Sequence, residues 1–288
     1  MASTGIAAER LRPAIGPMTL GAAEGADPMP SGRQSTLLAL DYLRDPIVLR
    51  TVADHEVVSR PVRAQLVGTF GFEIGLPRGF ALRASLPIAM VNDGDRLRGT
   101  GVGGSGNDPG PALEAAAGDL SFGVKVGIVG APSLPGLHAA LALEGTVPLG
   151  GEAQLAATDG PTIAPRIMLD YRLPWITLVL DAAARFAKQR AFFDTTFGDE
   201  LILAGGAIGK LVSFGPARRW HLLAWVEGQG VVAAGAAARP GELRAALRLA
   251  REGGLDVDLG GGAGLVDAVG APRFRVFAIL RTPLRWGR

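Results

Sequence analysis

Apolar and polar positions alternate along Asp119–Leu149 with a period of two. Leu120, Phe122, Val124, Val126 and Ile128 share one register, and Asp119, Ser121, Gly123, Lys125 and Gly127 share the other. After a Pro/Gly-rich turn the alternation resumes. Leu137, Ala139, Leu141, Leu143, Gly145, Val147 and Leu149 lie on one side, and His138, Ala140, Ala142, Glu144, Thr146 and Pro148 on the other. Period two is the signature of a strand, because neighbouring side chains leave opposite faces. The runs reach about ten residues, longer than the ~5–6 usual in soluble sheets and close to the ~9–11 of a tilted bilayer-spanning strand. The second face carries Lys125 and Glu144, which do not belong in a dry core. An apolar exterior around a wet interior is the transmembrane barrel pattern.

The same pattern predicts twelve strands. The first ten candidates are Ser35–Leu43, Val57–Glu73, Gly79–Val91, the two strands just described, Thr162–Leu173, Ile176–Lys188, Glu200–Val212, Trp220–Gly230 and Glu242–Ala250. Leu255–Gly262 and Arg273–Leu284 complete the set. Connections alternate between short (Ile74–Arg78, Gly130–Pro135, Pro174–Trp175, Ser213–Arg219, Arg251–Gly254) and long (Asn92–Gly118, Gly150–Pro161, Gln189–Asp199, Val231–Gly241, Ala263–Pro272). Bacterial barrels have short periplasmic turns and longer extracellular loops, so an even strand number places both termini in the periplasm. The expected architecture is an all-β, single transmembrane antiparallel up-and-down barrel over residues 35–288. Residues 1–34, rich in Pro, Gly and Ala without sustained periodicity, form an N-terminal periplasmic tail or a lumen plug.

Composition fits this pattern. Of 288 residues 48% are hydrophobic, and mean hydropathy is +0.27. No apolar run approaches the ~18 residues of a membrane-spanning helix. A barrel produces both facts, since its apolar residues occupy alternate positions. The 42 glycines disfavour long helices. The absence of cysteine excludes disulfides, thiol nucleophiles and thiolate metal sites. A formal charge of +2 gives no basis for nucleic-acid binding. Met1–Glu9 has no basic stretch followed by an apolar one, so the chain reads as a mature form with an added or replaced Met1.

The inward register supplies the candidate site. Arg63, Arg83, Lys125, Arg166, Arg172, Arg185, Lys210, Arg244, Arg248, Arg273, Arg275 and Arg281 are expected to line the lumen, with Glu73, Glu144, Asp170, Asp181, Glu200, Glu227, Asp256 and Asp258. Two readings follow. Either these charges line a narrow pore for passive diffusion of small solutes, or they pair across the bore and leave a plugged structural barrel that anchors the envelope. The excess of Arg and Lys favours anions if the bore is open. Twelve strands fall between small filled barrels and the open 16-stranded porins.

Catalysis finds little support. His55, His138 and His221 are the only histidines, and no nucleophile elbow or paired carboxylate accompanies them. Gly101, Gly103, Gly104 and Gly106 lack the Lys-Ser/Thr and the βα setting of a phosphate loop. Asp93, Asp95, Asn107 and Asp108 read as ordinary loop polarity rather than a cation site. No cofactor or metal is expected. Tyr42, Tyr171, Trp175, Phe192, Phe193, Phe197, Phe214, Trp220 and Trp286 fall near strand ends, where a membrane barrel carries aromatic girdles. Trp225 falls in the inward register and departs from the pattern.

Leu40–Leu49, the Gly118-Asp119-Leu120 entry to the fourth strand, Gly198–Leu201 and the closing run Gly270–Phe277 together resemble the barrel portion of OmpA-type outer-membrane proteins of myxobacteria-like bacteria. The resemblance spans nearly the whole chain. It implies residence in the bacterial outer membrane, with lipids, lipopolysaccharide and the barrel-assembly machinery as partners. It also implies contact with peptidoglycan through a C-terminal domain absent from this chain. It implies no defined substrate.

Overall fold

The structure, a computed structural model, describes residues 13–15, 19–50, 56–94, 115–130, 134–150, 158, 160–192, 195–233, 239–266 and 270–285. Twelve long strands form one closed antiparallel barrel. They are β1 (Arg33–Arg50), β2 (Val57–Leu76), β3 (Phe80–Asp93), β4 (Asp119–Val129), β5 (Gly136–Pro148) and β6 (Thr162–Arg172). They continue as β7 (Ile176–Ala187), β8 (Glu200–Phe214), β9 (Trp220–Ala233), β10 (Gly241–Arg251), β11 (Asp256–Gly264) and β12 (Phe274–Arg285). Each pairs with its sequence neighbours, and β12 pairs with β1 from Arg33↔Arg285 to Arg44↔Phe274, which seals the sheet. Closure removes the unpaired edge that an open sheet would present. Ala116–Ala117 adds a short pairing to β3, and Arg190–Phe192 with Thr195–Phe197 forms a small separate hairpin.

Every strand expected from the alternation is present, and most extend further. The first strand runs from Arg33 through the Asp-Pro pair to Arg50 rather than ending at Leu43. The extension passes through a bulge: two β1 residues (Asp45 and Pro46) stand opposite one of β2 (Arg63) between the Arg44↔Ala64 and Ile47↔Val62 pairs. Asp45 takes a φ of 51° there, in the left-handed region that Asp tolerates better than most residues. Such a break in alternation hides a strand from a period-two reading.

The two faces separate cleanly. Phe122, Leu141 and Leu247 are 51%, 43% and 52% exposed, whereas Lys125, Glu227 and Asp258 are all but completely buried. Apolar side chains look outward and charged ones inward, the reverse of a soluble core. Trp175, Tyr171 and Phe214 are exposed near the tight connections 173–175 and 215–219, and the Arg251 guanidinium covers the Trp220 ring at 5.6 Å. Tyr42 stands nearer the middle of β1, against Phe274. Phe193 and Trp286 lie outside the described residues.

Placing a charge on the outer face tests which side meets lipid. Leu141→Arg is expected to destabilise the folded barrel in bilayers by about 2–4 kcal/mol, measured by denaturant titration in vesicles. An unchanged midpoint would mean that this face does not contact hydrocarbon.

Candidate functional site in the barrel lumen

The inner register gathers most of the predicted lumen residues into three ion-paired groups. On the β10–β12 wall, Arg248 holds Asp258 through two hydrogen bonds, Nε to Oδ1 at 2.6 Å and Nη2 to Oδ2 at 2.9 Å, while Arg281 Nη1 donates to the same carboxylate at 2.6 Å. Higher on that wall Arg275 joins Asp41 at 2.9 Å and Glu242 at 2.8 Å, and Arg244 lies 3.3 Å from Glu227. On the opposite wall Arg172 binds Asp170 at 2.5 Å, Arg166 lies 3.2 Å from both Glu144 and Asp181, and Arg83 pairs with Glu144. Arg185 pairs with Glu200 between them. Glu73 is fully buried on β2, and Asp256 is half-buried at the first position of β11. Buried charges must be compensated in this way, because an unpaired ion in a low-dielectric interior is costly.

Three predicted lumen residues stand elsewhere. The Arg63 side chain is 40% exposed and 4.0 Å from Asp93, near the strand ends where the β1 bulge has shifted the pairing. Lys210 is exposed where β8 outruns its β7 partner, with its amide donating to the Trp175 carbonyl, just before a register shift. Arg273 is exposed and precedes β12, with its N–H donating to the Arg44 carbonyl. All three keep the inward parity of their strands, but parity does not report depth along the barrel. Their departure removes much of the positive excess, and Asp41, Asp119 and Glu242 add further acids to the inner wall.

The N-terminal segment lies among these groups. Thr19–Met29 crosses the bore from the β9–β12 wall to the β2–β7 wall, and most of its contacts are made by its backbone. The Ala22 amide donates to Glu227 Oε1 at 2.8 Å, and that of Ala23 to Oε2 at 3.0 Å. The Glu24 amide reaches Asp181 at 3.1 Å, that of Ala26 reaches Asp170 at 2.7 Å, and that of Met29 reaches Glu73 at 2.8 Å. Three of its carbonyls are served by cations, while those of Gly21 and Ala23 accept from the amides of Ala14 and Leu20. Arg248 donates to Thr19 O at 2.6 Å, Arg281 to Leu20 O at 2.9 Å and Lys125 to Gly25 O at 2.5 Å. The segment turns at Gly21–Ala22 and no barrel strand pairs with it, so wall charges largely take the place of a ladder.

Three side chains of the strap are also gripped. The Glu24 carboxylate meets Lys125 at 2.9 Å, Arg166 at 3.2 Å and Arg83. Asp27 meets Arg172 at 2.7 Å and His138 Nδ1 at 3.2 Å, while His138 Nε2 lies 2.8 Å from the Leu134 carbonyl. Leu20 is fully buried in an apolar niche built by Leu37, Val179, Ile208, Trp225, Phe277 and Ile279. Trp225, the exception to the polar register, therefore has a role. It stacks on Phe277 with ring centres 5.6 Å apart and floors the niche. The wall is cut away beneath the strap. A Cβ on Gly75 would lie 2.1 Å from the Pro30 carbonyl, and one on Gly206 would lie 2.7 Å from Leu20 Cδ1.

Above the strap, toward the longer connections, lies a cavity of about 110 Å³. Arg83, Arg166, Arg185 and Glu144 line it with the hydroxyls of the cross-strand pairs Ser85–Ser121 (2.6 Å) and Thr146–Thr162 (2.7 Å). His221 bonds Ser213, the residue directly opposite it on β8, at 2.8 Å. No cluster of His, Asp and Glu suited to a metal occurs among the described residues. His55 and the loop glycines Gly101, Gly103, Gly104 and Gly106, with Asp95, Asn107 and Asp108, lie outside the described residues.

With this geometry in view, comparison with known proteins gives a fold but no family. No family model matches, and neither does any curated sequence. Among solved structures, an outer-membrane channel from Pseudomonas putida F1 superposes with a TM-score of 0.60 at 13% identity, over 90% of this chain and 98% of that one. The β-domain of the Bordetella autotransporter BrkA gives 0.45 at 13% identity, over 88% and 100%. LpxR from Salmonella typhimurium gives 0.41 at 11%, over 85% and 99%. The fold is that of a bacterial outer-membrane barrel. The OmpA-type resemblance gains nothing from these comparisons beyond that architecture.

Removing the Glu24 carboxylate leaves Arg83, Lys125 and Arg166 facing one another around an empty position. Glu24→Ala is expected to loosen the strap by about 3–5 kcal/mol. The Ala22, Ala23 and Ala26 amides would then exchange with solvent deuterium at least ~100-fold faster. Unchanged protection of these amides would show that the backbone bonds alone hold the segment.

Proposed function

We propose that this protein is an outer-membrane channel for small solutes whose bore is closed at rest by its own N-terminal segment. The observation that carries the reading is the Thr19–Met29 strap, which crosses the lumen on a wall built of charged side chains. A barrel closed only by its own side chains needs no such wall, because apolar residues would fill it at lower desolvation cost. Here a polar bore is occupied by a separable piece of chain. The apolar outer face and the likeness to a Pseudomonas outer-membrane channel support residence in the outer membrane, among lipids and lipopolysaccharide. An affiliation with OmpA-type barrels rests on the quoted sequence runs alone.

The reading carries no charge preference. Arg63, Lys210 and Arg273 stand at the rims, and with Asp41, Asp119, Glu242, Glu24 and Asp27 the acids inside outnumber the cations that remain, so the expected preference for anions does not carry over. It also assigns no catalysis: the Ser213–His221 pair is a cross-strand hydrogen bond between opposed residues, with no carboxylate on the other ring nitrogen among the described residues. The second reading, a permanently filled barrel that serves the envelope structurally, is favoured by the density of buried ion pairs.

Planar-bilayer recording separates the two. A Cβ at Gly21 would lie 2.5 Å from Glu227 Oε1 and 2.8 Å from Trp225 Cη2, so Gly21→Val is expected to expel the strap while leaving the barrel wall unchanged. The full chain should then show rare or small current steps, and the variant sustained ones. A silent Gly21→Val barrel, with Trp225 emission shifted to the red by strap release, would establish the structural reading instead.

A further inference from the structure

The strap is held in a manner that says what the bore can bind. Five of its backbone amides (Ala22, Ala23, Glu24, Ala26 and Met29) donate to the four wall carboxylates Glu227, Asp181, Asp170 and Glu73. Three of its carbonyls accept from Arg248, Arg281 and Lys125. These groups belong to every polypeptide, and charge-assisted bonds to them are about twice as strong as neutral ones. Side chains are read most specifically at three points: Leu20 in its apolar niche, Glu24 on three cations, and Asp27 on Arg172 and His138. Between these points stand Gly21, Ala22, Ala23, Gly25 and Ala26, and a larger side chain at position 21 has no room.

We infer that the lumen is a binding site for a polypeptide segment, recognised largely through its main chain, and that Thr19–Met29 is one exchangeable occupant. The ligand class is a small-residue peptide with a leucine four positions before a glutamate and an aspartate three positions after it. This assignment rests on the proposal that the strap closes the bore, and it goes further by assigning the wall carboxylates to peptide capture rather than to solute selection. Both needs are then met by one set of residues. Glu227, Asp181 and Asp170 accept main-chain amides when a peptide is present and face water and the wall cations when it is not. The exit is built for the same purpose: the backbone leaves over Gly75, where any side chain would strike the carbonyls of Met29 and Pro30.

The test uses the full chain. A protease site is placed at the exposed Ser31–Gly32 turn, the protein is folded in detergent, and only then is it cleaved, so that the strap is held without a covalent link. A fluorescein-labelled synthetic peptide of residues 19–32 is added to cleaved wild-type and cleaved Gly21→Val barrels. Fluorescence anisotropy should rise saturably. Unlabelled peptide should displace the label, and a peptide N-methylated at Ala22, Ala23 and Ala26, with side chains unchanged, should compete at least ten-fold less well. A Glu24→Gln peptide should also compete less well. Failure of the label to enter either barrel, or equal competition by the N-methylated peptide, overturns the inference. Current steps that appear on strap release bear on the channel reading alone. Anisotropy bears on the peptide site alone, so the two fail separately.

Discussion

A backbone amide or carbonyl exposed to hydrocarbon has no water to bind, and the architecture follows from that constraint. A sheet can cross a bilayer only if it closes on itself, and here β12 meets β1 along twelve residue pairs from Arg33 to Arg44. Closure makes one face of every strand exterior and the other interior. The exterior face meets lipid tails, which accept Phe122 and Leu247 as readily as a protein core would. The interior then receives most polar residues of the alternation, and a bore of twelve strands is too narrow to leave all of those charges in bulk water. The dense pairing of Arg248, Asp258 and Arg281, or of Arg83, Glu144 and Arg166, is the result.

The strap meets the same constraint at a second level. A chain threading the bore brings its own amides and carbonyls into a space with limited water, and it has no strand to pair with. The wall meets this need with carboxylates for the amides and guanidinium or ammonium groups for the carbonyls. Leu20 adds the apolar component. Its niche converts part of a polar lumen into a small core floored by Trp225 and Phe277, and burial of a leucine side chain contributes roughly 1.5–3 kcal/mol. Glu24 supplies the focal charge, and the surrounding cations converge on it from β3, β4 and β6.

Much of this was legible in the sequence, and the limits have physical causes. Alternation located each barrel strand because membrane and bore impose opposite solvents on adjacent residues. It stopped short at Leu43, where the Asp45–Pro46 bulge interrupts the period. It also marked Arg63, Lys210 and Arg273 as inward without saying that they stand at the rims. The strap carries no period at all. Its residues are chosen for small size and for three isolated contacts, and neither leaves a repeating mark in Thr19–Met29. Trp225 was the one visible clue, an aromatic in a polar register, since a large ring facing inward requires something apolar to cover it.

The strap runs directly into β1, and β1 is also the strand that seals against β12 at the far end of the chain. Closure of that seam fixes where the segment enters the bore. Once that seam has closed, Pro30 and Gly32 hold it at the rim through bonds to the β1 start and to Gly75. The strap is thus tethered to the wall it closes: a segment that leaves the bore stays within a few residues' reach of the mouth and returns to it at a high effective concentration.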